Sequence, residues 1–229
     1  MPQTWTNDQL AQTFDAAVLA PALSPNQADE AIRACVAMNC KTACVRPVDV
    51  QRAKAICVGS GTGVCVVVGF PHGTNLPASK ADEARRLVEF GADEVDVVVH
   101  YGAALGGDFA YVRDEVAAVV DACGEVPMKT IFETSQLDDA RIAPLVEAAI
   151  AGGAAFVKTS TGFTGEGANE RAVQLMLDAA AGRCQVKPSG GIRDRATAER
   201  YLAMGATRLG VGWTSARAIL QGDASDAAY

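Results

Sequence analysis

The chain is expected to fold as a (β/α)8 TIM barrel of the α/β class, and three observations carry that expectation. Eight short β-branched runs alternate with amphipathic helical patterns at even spacing. The 229 residues come close to the roughly 250 that such a barrel uses. No Pro-, Gly- or Ser-rich linker divides the chain, so residues 1–229 read as a single domain. An open doubly wound sheet is the alternative. Even spacing and the lack of a dinucleotide-binding loop count against it.

In chain order the strand runs are 15–19, 42–45, 64–68, 94–99, 128–132, 156–158, 185–187 and 208–211. Helical patterns lie between them near 27–38, 48–57, 78–90, 110–122, 138–151, 169–180 and 194–204, with a last one near 214–220. Ser24-Pro25 and Asp194 have the character of helix starts, and Gly91, Gly152-Gly153 and Gly205 of helix stops. Gly91-Ala92, Gly153-Ala154 and Gly205-Ala206 stand just before strands and suit tight returns from helix to sheet. A short polar segment opens the chain, and a tail from about residue 221 is expected to be flexible.

A formal net charge of −7 argues against nucleic acid or an anionic membrane as the main partner. Neither a signal-type apolar core nor an apolar run of membrane-spanning length is present. The cysteines at 35, 40, 44, 57, 65, 123 and 184 have no CxxC spacing and sit mostly in apolar segments. They read as buried reduced thiols of a cytoplasmic protein. His72 and His100 have no neighbouring ligand cluster, so no metal is expected.

In a barrel the site lies at the carboxyl ends of the strands. That rule sets aside Gly59-Ser-Gly61-Thr-Gly63, which follows a helix and precedes a strand. A phosphate loop must do the reverse, so this stretch reads as a turn on the opposite face. The rule points instead to Phe156-Val-Lys158-Thr-Ser-Thr-Gly162 and Val186-Lys187-Pro-Ser189-Gly190-Gly191. Their lysines are roughly 30 residues apart, one βα unit, and would share a pocket. Lys129, in Met128-Lys129-Thr130, repeats the pattern one unit earlier. A lysine closing a buried strand is either ion-paired or functional. A free lysine is only roughly 0.04% neutral at pH 7. Desolvation and a neighbouring ammonium would bring its pKa down towards ~7, giving an amine able to form an imine. Pattern alone does not decide among the three, although cationic neighbours on both sides favour Lys158.

Asp96 lies in the valine-rich run Glu94-Val95-Asp96-Val97-Val98-Val99, where a carboxylate must face something polar. It would pair with a lysine, relay protons, or both. Asp15 and Glu133 are weaker cases of the same kind. Ser189-Gly190-Gly191 leads towards a helix starting near Asp194, and Gly210-Val211-Gly212 closes the eighth strand. Loops after strands seven and eight often hold phosphate through backbone N–H groups, so these residues, with Gly162, are candidate phosphate-binding positions. Plain tight turns are the alternative.

Together these segments resemble the deoxyribose-phosphate aldolase family, class I Schiff-base aldolases with a (β/α)8 fold, over about Asp15 to Gly210. Gly91-Ala-Asp-Glu-Val-Asp96-Val, Gly69-Phe-Pro-His-Gly73 and Ala43-Cys-Val45 add to the match. The resemblance implies that Lys158 bonds to substrate and that Asp96 and Lys187 handle protons. The reaction would be reversible cleavage of 2-deoxy-D-ribose 5-phosphate to acetaldehyde and D-glyceraldehyde 3-phosphate, without a cofactor. Asp15 and Lys129 would lend support. Small aldehydes and sugar phosphates are thus the expected partners, and a homo-oligomer is left open.

The chain departs from the family in places. Ala16-Ala17 stand where the family usually has His-Thr, and His100-Tyr101 where asparagine is common. Gly212-Trp213 replace a serine pair, which bears on phosphate binding. Tyr229 ends the tail, as in some family members where such a tyrosine assists proton transfer. A Schiff-base aldolase with an unphosphorylated acceptor and a non-catalytic sugar-phosphate-binding barrel are the competing readings.

Overall fold

The structure, a computed structural model, describes residues 5–223. Eight strands form one parallel sheet: β1 (Phe14–Val18), β2 (Thr42–Val45), β3 (Gly63–Val68), β4 (Glu94–Val98), β5 (Met128–Ile131), β6 (Phe156–Lys158), β7 (Gln185–Lys187) and β8 (Leu209–Gly212). Neighbours follow chain order, and β8 pairs with β1. The ring closes where Ser189 bridges Gly210 and the Gly210 N–H donates to the Pro188 carbonyl at 2.8 Å. This is the expected barrel. Strand limits agree with the sequence reading to within a residue, the usual uncertainty of an element's end.

The helices are α1 (Asn7–Ala11), α2 (Pro25–Ala37), α3 (Val50–Cys57), α4 (Pro77–Glu89), α5 (Tyr101–Leu105), α6 (Phe109–Cys123), α7 (Asp139–Ala151), α8 (Glu170–Ala180), α9 (Arg195–Met204) and α10 (Trp213–Gln221). Ser24 and Gln27 form a capping box with Pro25 in the first turn, and Gly205 ends α9 at φ +116°. The sequence reading lacks α1, α5 and the 3-10 turn Thr134–Gln136, all one turn or little more. In the described residues no helix is long and apolar enough to cross a membrane.

Strand side chains alternate between two environments. One set, including Ala16, Val18, Val45, Val66 and Val97, joins the helices in the main apolar core. The other set points into the barrel. There Ala17, Leu19, Cys44, Cys65 and Val67 form a separate apolar cluster with Phe70 and Phe163 against it. Other inward positions carry charge: Asp15, Glu94, Asp96, Lys129, Lys158, Lys187 and, just before β8, Arg208. All seven are buried.

Candidate active site

Asp96 is the hub of the buried charges. Its Oδ2 accepts from Lys158 Nζ and from Lys187 Nζ, each at 2.7 Å. Its Oδ1 accepts from Lys129 Nζ at 2.9 Å and from the Cys65 thiol at 3.2 Å. Lys158 and Lys187 stand opposite each other at the carboxyl ends of β6 and β7, as the spacing predicts. Lys129 does not share that level. It is the second residue of β5, in register with Asp96 and Phe156, whereas Ile131 is the neighbour of Lys158. The expectation of a third strand-end lysine is therefore corrected: Lys129 stands lower on its strand than Lys158 on β6, beside its register partner Asp96.

Beneath this pair lies a second set of ions. Lys187 also pairs with Asp15. Thr42 Oγ1 and Arg208 each donate to Asp15 Oδ1 at 2.7 Å. Arg208 bonds Glu94 in fork geometry, and Lys129 lies 2.5 Å from the same carboxylate. The sequence reading did not single out Glu94 or Arg208. The signal for Glu94 was its place two residues before Asp96, on the same face of a strand. Three carboxylates (Asp15, Glu94, Asp96) face four cations (Lys129, Lys158, Lys187, Arg208), so the fully ionised cluster carries one net positive charge.

This geometry sets the protonation states. Burial works to raise the Asp96 pKa, but Lys129, Lys158 and Lys187 outweigh it and hold the carboxyl well below its ordinary range. Asp15 is held down likewise, by Lys187, Lys129 and Arg208. Burial alone would lower the Lys187 pKa; Asp15 and Asp96 reverse that and push it up, as Asp96 chiefly does for Lys129. The expectation that paired lysines simply depress one another is thus corrected. Carboxylates stand between the amines and favour the charged forms of Lys187 and Lys129. Lys158 differs in its surroundings: among the described residues its ammonium pairs with one carboxylate, against two for Lys187 and three for Lys129. It is also 3% exposed where the others are 0%.

The loops above the lysines interlock. Thr159 Oγ1 donates to the Ser189 carbonyl at 3.0 Å and accepts from the Ser189 N–H at 2.9 Å. The Ala168 N–H donates to the carbonyls of Ser189 and Gly190. Gly190 has φ +86°, and a Cβ there would meet the Gly167 and Gly162 Cα atoms at 2.9 and 3.4 Å. At Gly210 a Cβ would lie 2.3 Å from Ser189 Oγ. Gly162, Ser189, Gly190 and Gly210 therefore come together, with Gly191 and Gly212 flanking them in sequence. Glu133, left-handed at φ +57°, lies under this loop, where its Oε2 accepts from Thr161 Oγ1 at 2.5 Å and from the Thr161 N–H at 3.2 Å.

Two helix N-termini follow β7 and β8, and they differ. Asp194 caps α9 with its own carboxylate, accepting from the N–H and hydroxyl of Thr197. The Thr197 N–H of the first turn is thus satisfied from within the chain. Gly212 begins α10 with no side-chain cap. Trp213, the first residue of α10, packs partly on the core with the Arg217 guanidinium 5.2 Å from its ring centroid. Tyr229 lies outside the described residues. His100 caps α5 through Nδ1, accepting from the Ala103 N–H at 3.2 Å. The Gly59–Gly63 turn lies at the opposite end of the barrel and lines a cavity of about 420 Å³ with Lys41, Lys54 and Asp93.

Fold and family profile together define the class of the protein, a barrel lyase: the profile of DeoC/LacD family aldolases matches residues 6–222. The chain belongs to that family. It is 43% identical over 225 residues to a deoxyribose-phosphate aldolase of Mycolicibacterium paratuberculosis, covering 96% of this chain and 99% of the relative. With the Thermus thermophilus deoxyribose-phosphate aldolase it shares 41% identity over 220 residues, again 96% and 99% of the two chains. A tetrameric deoxyribose phosphate aldolase from Aeropyrum pernix superposes with a TM-score of 0.86 at 29% identity, over 94% of this chain and 91% of that one.

Proposed function

We propose that this aldolase reversibly cleaves 2-deoxy-D-ribose 5-phosphate to acetaldehyde and D-glyceraldehyde 3-phosphate through a Schiff base on Lys158. The observation that carries the reading is the sharing of one Asp96 oxygen by Lys158 and Lys187, each at 2.7 Å. Lys158 passes a proton to that oxygen and attacks the substrate carbonyl as a neutral amine. Lys187, held cationic by Asp15 and Asp96, returns a proton to the departing carbinolamine oxygen, and the imine forms. In the cleavage direction the C3 hydroxyl passes its proton to Lys187, the C2–C3 bond breaks with its electrons drawn into the iminium, and D-glyceraldehyde 3-phosphate departs. The resulting enamine takes a proton at carbon, and hydrolysis frees acetaldehyde and Lys158. Lys129, Glu94 and Arg208 fix Asp96 and Asp15 from below.

The apolar cluster of Ala17, Leu19, Cys44 and Val67 suits the acetaldehyde end. For the phosphate, the uncapped N-terminus of α10 at Gly212 and the backbone of Gly190 and Gly191 are the proposed holders, and the names of the relatives support a phosphorylated substrate. Gly212-Trp213 supplies little polar side chain there, which favours an unphosphorylated acceptor as the second reading. The reduced thiols fit a cytoplasmic enzyme, and the tetrameric neighbour supports a homo-oligomer.

Trapping tests the assignment. The protein is incubated with acetaldehyde and borohydride and digested, and the modified lysine is mapped by mass spectrometry. An ethyl adduct on Lys158 is expected; an adduct confined to Lys187 or Lys129, or none, refutes it. Turnover of phosphorylated against plain deoxyribose decides between the two substrate readings.

A further inference from the structure

Two thiols stand side by side within the barrel, next to the lysine cluster. Cys44 on β2 and Cys65 on β3 are partners in the parallel register, so both side chains leave the sheet on its inner face. In-register residues on neighbouring strands are about 4.8 Å apart, within the span a disulfide bridges. The two sulfurs and a carboxylate oxygen of Asp96 all lie within 4.8 Å of one another. Cys65 donates to Asp96 Oδ1 at 3.2 Å, and Lys129 Nζ reaches the Cys65 sulfur at 3.5 Å. Both thiols belong to the apolar wall that includes Phe70 and Phe163.

We propose that Cys44 and Cys65 are a reversible modification site: a hydroperoxide converts them to an intramolecular disulfide, which switches the aldolase site off. The pair is chemically unequal in the way such a reaction needs. Contact with Cys65, helped by the Lys187 and Lys158 ammoniums, holds the Cys44 thiol below its ordinary pKa against burial and Asp96. Burial, the contact with Cys44 and the Asp96 charge push Cys65 up. Cys44, 2% exposed against 0% for Cys65, is the thiol nearer to an entering peroxide and the attacking sulfur; Cys65, whose proton is directed at Asp96 Oδ1, is the resolving one.

Cys44, as thiolate, attacks one peroxide oxygen and the O–O bond breaks. The sulfur becomes a sulfenic acid, and the departing hydroxide leaves as water with the proton Cys44 gave up. Cys65 then attacks the sulfenic sulfur. The S–O bond breaks, the S–S bond forms, and the second water carries away the Cys65 proton. Two thiols lose two electrons in all, and one peroxide gains them. The new bond is about 2.05 Å long, so the wall beside Lys158 must contract. Asp96 Oδ1 loses the thiol hydrogen bond at the same time.

The full chain is treated with hydrogen peroxide, quenched, alkylated and digested without reductant. The expected product is a peptide joining Cys44 to Cys65, lighter by two hydrogens. Turnover should fall at least about tenfold and return with dithiothreitol. The Cys65→Ser variant should yield no cross-link and should instead bear a dimedone-trapped sulfenic acid on Cys44. The proposal is overturned if both thiols remain alkylatable after turnover is lost. It is equally overturned if the cross-link forms and turnover is unchanged, or if the cross-link joins other cysteines. The peptide mass reports the bond independently of which aldehyde the enzyme uses, so a failure here is separable from a failure of the substrate assignment.

Discussion

Replacing Asp96 by Asn removes one charge and changes almost no volume. The carboxylate accepts from three ammoniums and one thiol, at 2.7 to 3.2 Å. At 2.7 Å a pair of unit charges in an effective dielectric near 20 attracts by about 6 kcal/mol. Much of that offsets the cost of burying the ions, and breaking a buried pair typically costs about 3–5 kcal/mol net. For a chain of this size that corresponds to a fall in Tm of roughly 10 °C. The cluster goes from one net positive charge to two. Lys158 keeps no carboxylate partner, and the shared proton acceptor is gone. Turnover should drop by about 10²- to 10⁴-fold.

The pH dependence has a definite sign. Asp96 is held below its ordinary value of 3.8, so its stabilising contribution is complete above that pH and is lost as the pH falls through the lower, folded-state value. The stability gap between wild type and Asp96→Asn should be flat from about pH 5 to 8 and should close in stronger acid. Thermal unfolding followed by circular dichroism at several pH values, with a coupled retro-aldol assay, measures both effects. A variant that unfolds within about two degrees of wild type and turns over within about threefold would refute the reading of Asp96 as hub.

Lys187→Met should retain borohydride trapping on Lys158 but lose about 10²-fold or more in turnover; loss of trapping with full turnover would contradict the division of roles. Because the Lys187 pKa is raised above 10.5 in the fold, its stabilising contribution should persist up to that pH and fade only in stronger alkali, which denaturation at pH 8 and 10 would show as no change. Gly190→Ala sets a Cβ against Gly167 and Gly162 at positive φ, so it should cost about 1–3 kcal/mol and raise KM for the phosphorylated substrate. Glu133→Ala removes the acceptor of both Thr161 hydrogen bonds; a loss of about 3 kcal/mol and faster proteolysis near residues 161–168 are expected, measured by urea unfolding and limited digestion.

Much of this site was legible before the fold. Lys158 and Lys187 end short apolar runs one βα unit apart, and eight such units permit few arrangements other than a ring. Asp96 stood out because a carboxylate among valines needs a partner. The depth of Lys129 was legible in the bounds of the 128–132 run, where it stands second, but the likeness of Met128-Lys129-Thr130 to the two strand-end lysines masked it. Arg208 opens the predicted 208–211 run but was hidden because its partners Asp15 and Glu94 are distant in sequence. The short helix α1 was a missed opportunity, since Thr6 and Gln9 already spell a capping box. Asp194, read from the sequence as a helix start, does cap α9 by accepting from the Thr197 N–H.

The two-tiered ionic lattice has a consequence for how this enzyme could change. Each carboxylate serves more than one cation, so no member has a private partner to lose. Effects of substitutions there should fail to add, because each removal redistributes the load on the rest. A lineage or a designer seeking new chemistry in this barrel would then have to move opposite charges together. Single steps inside the lattice are closed, while the apolar wall and the rim loops stay open to gradual variation.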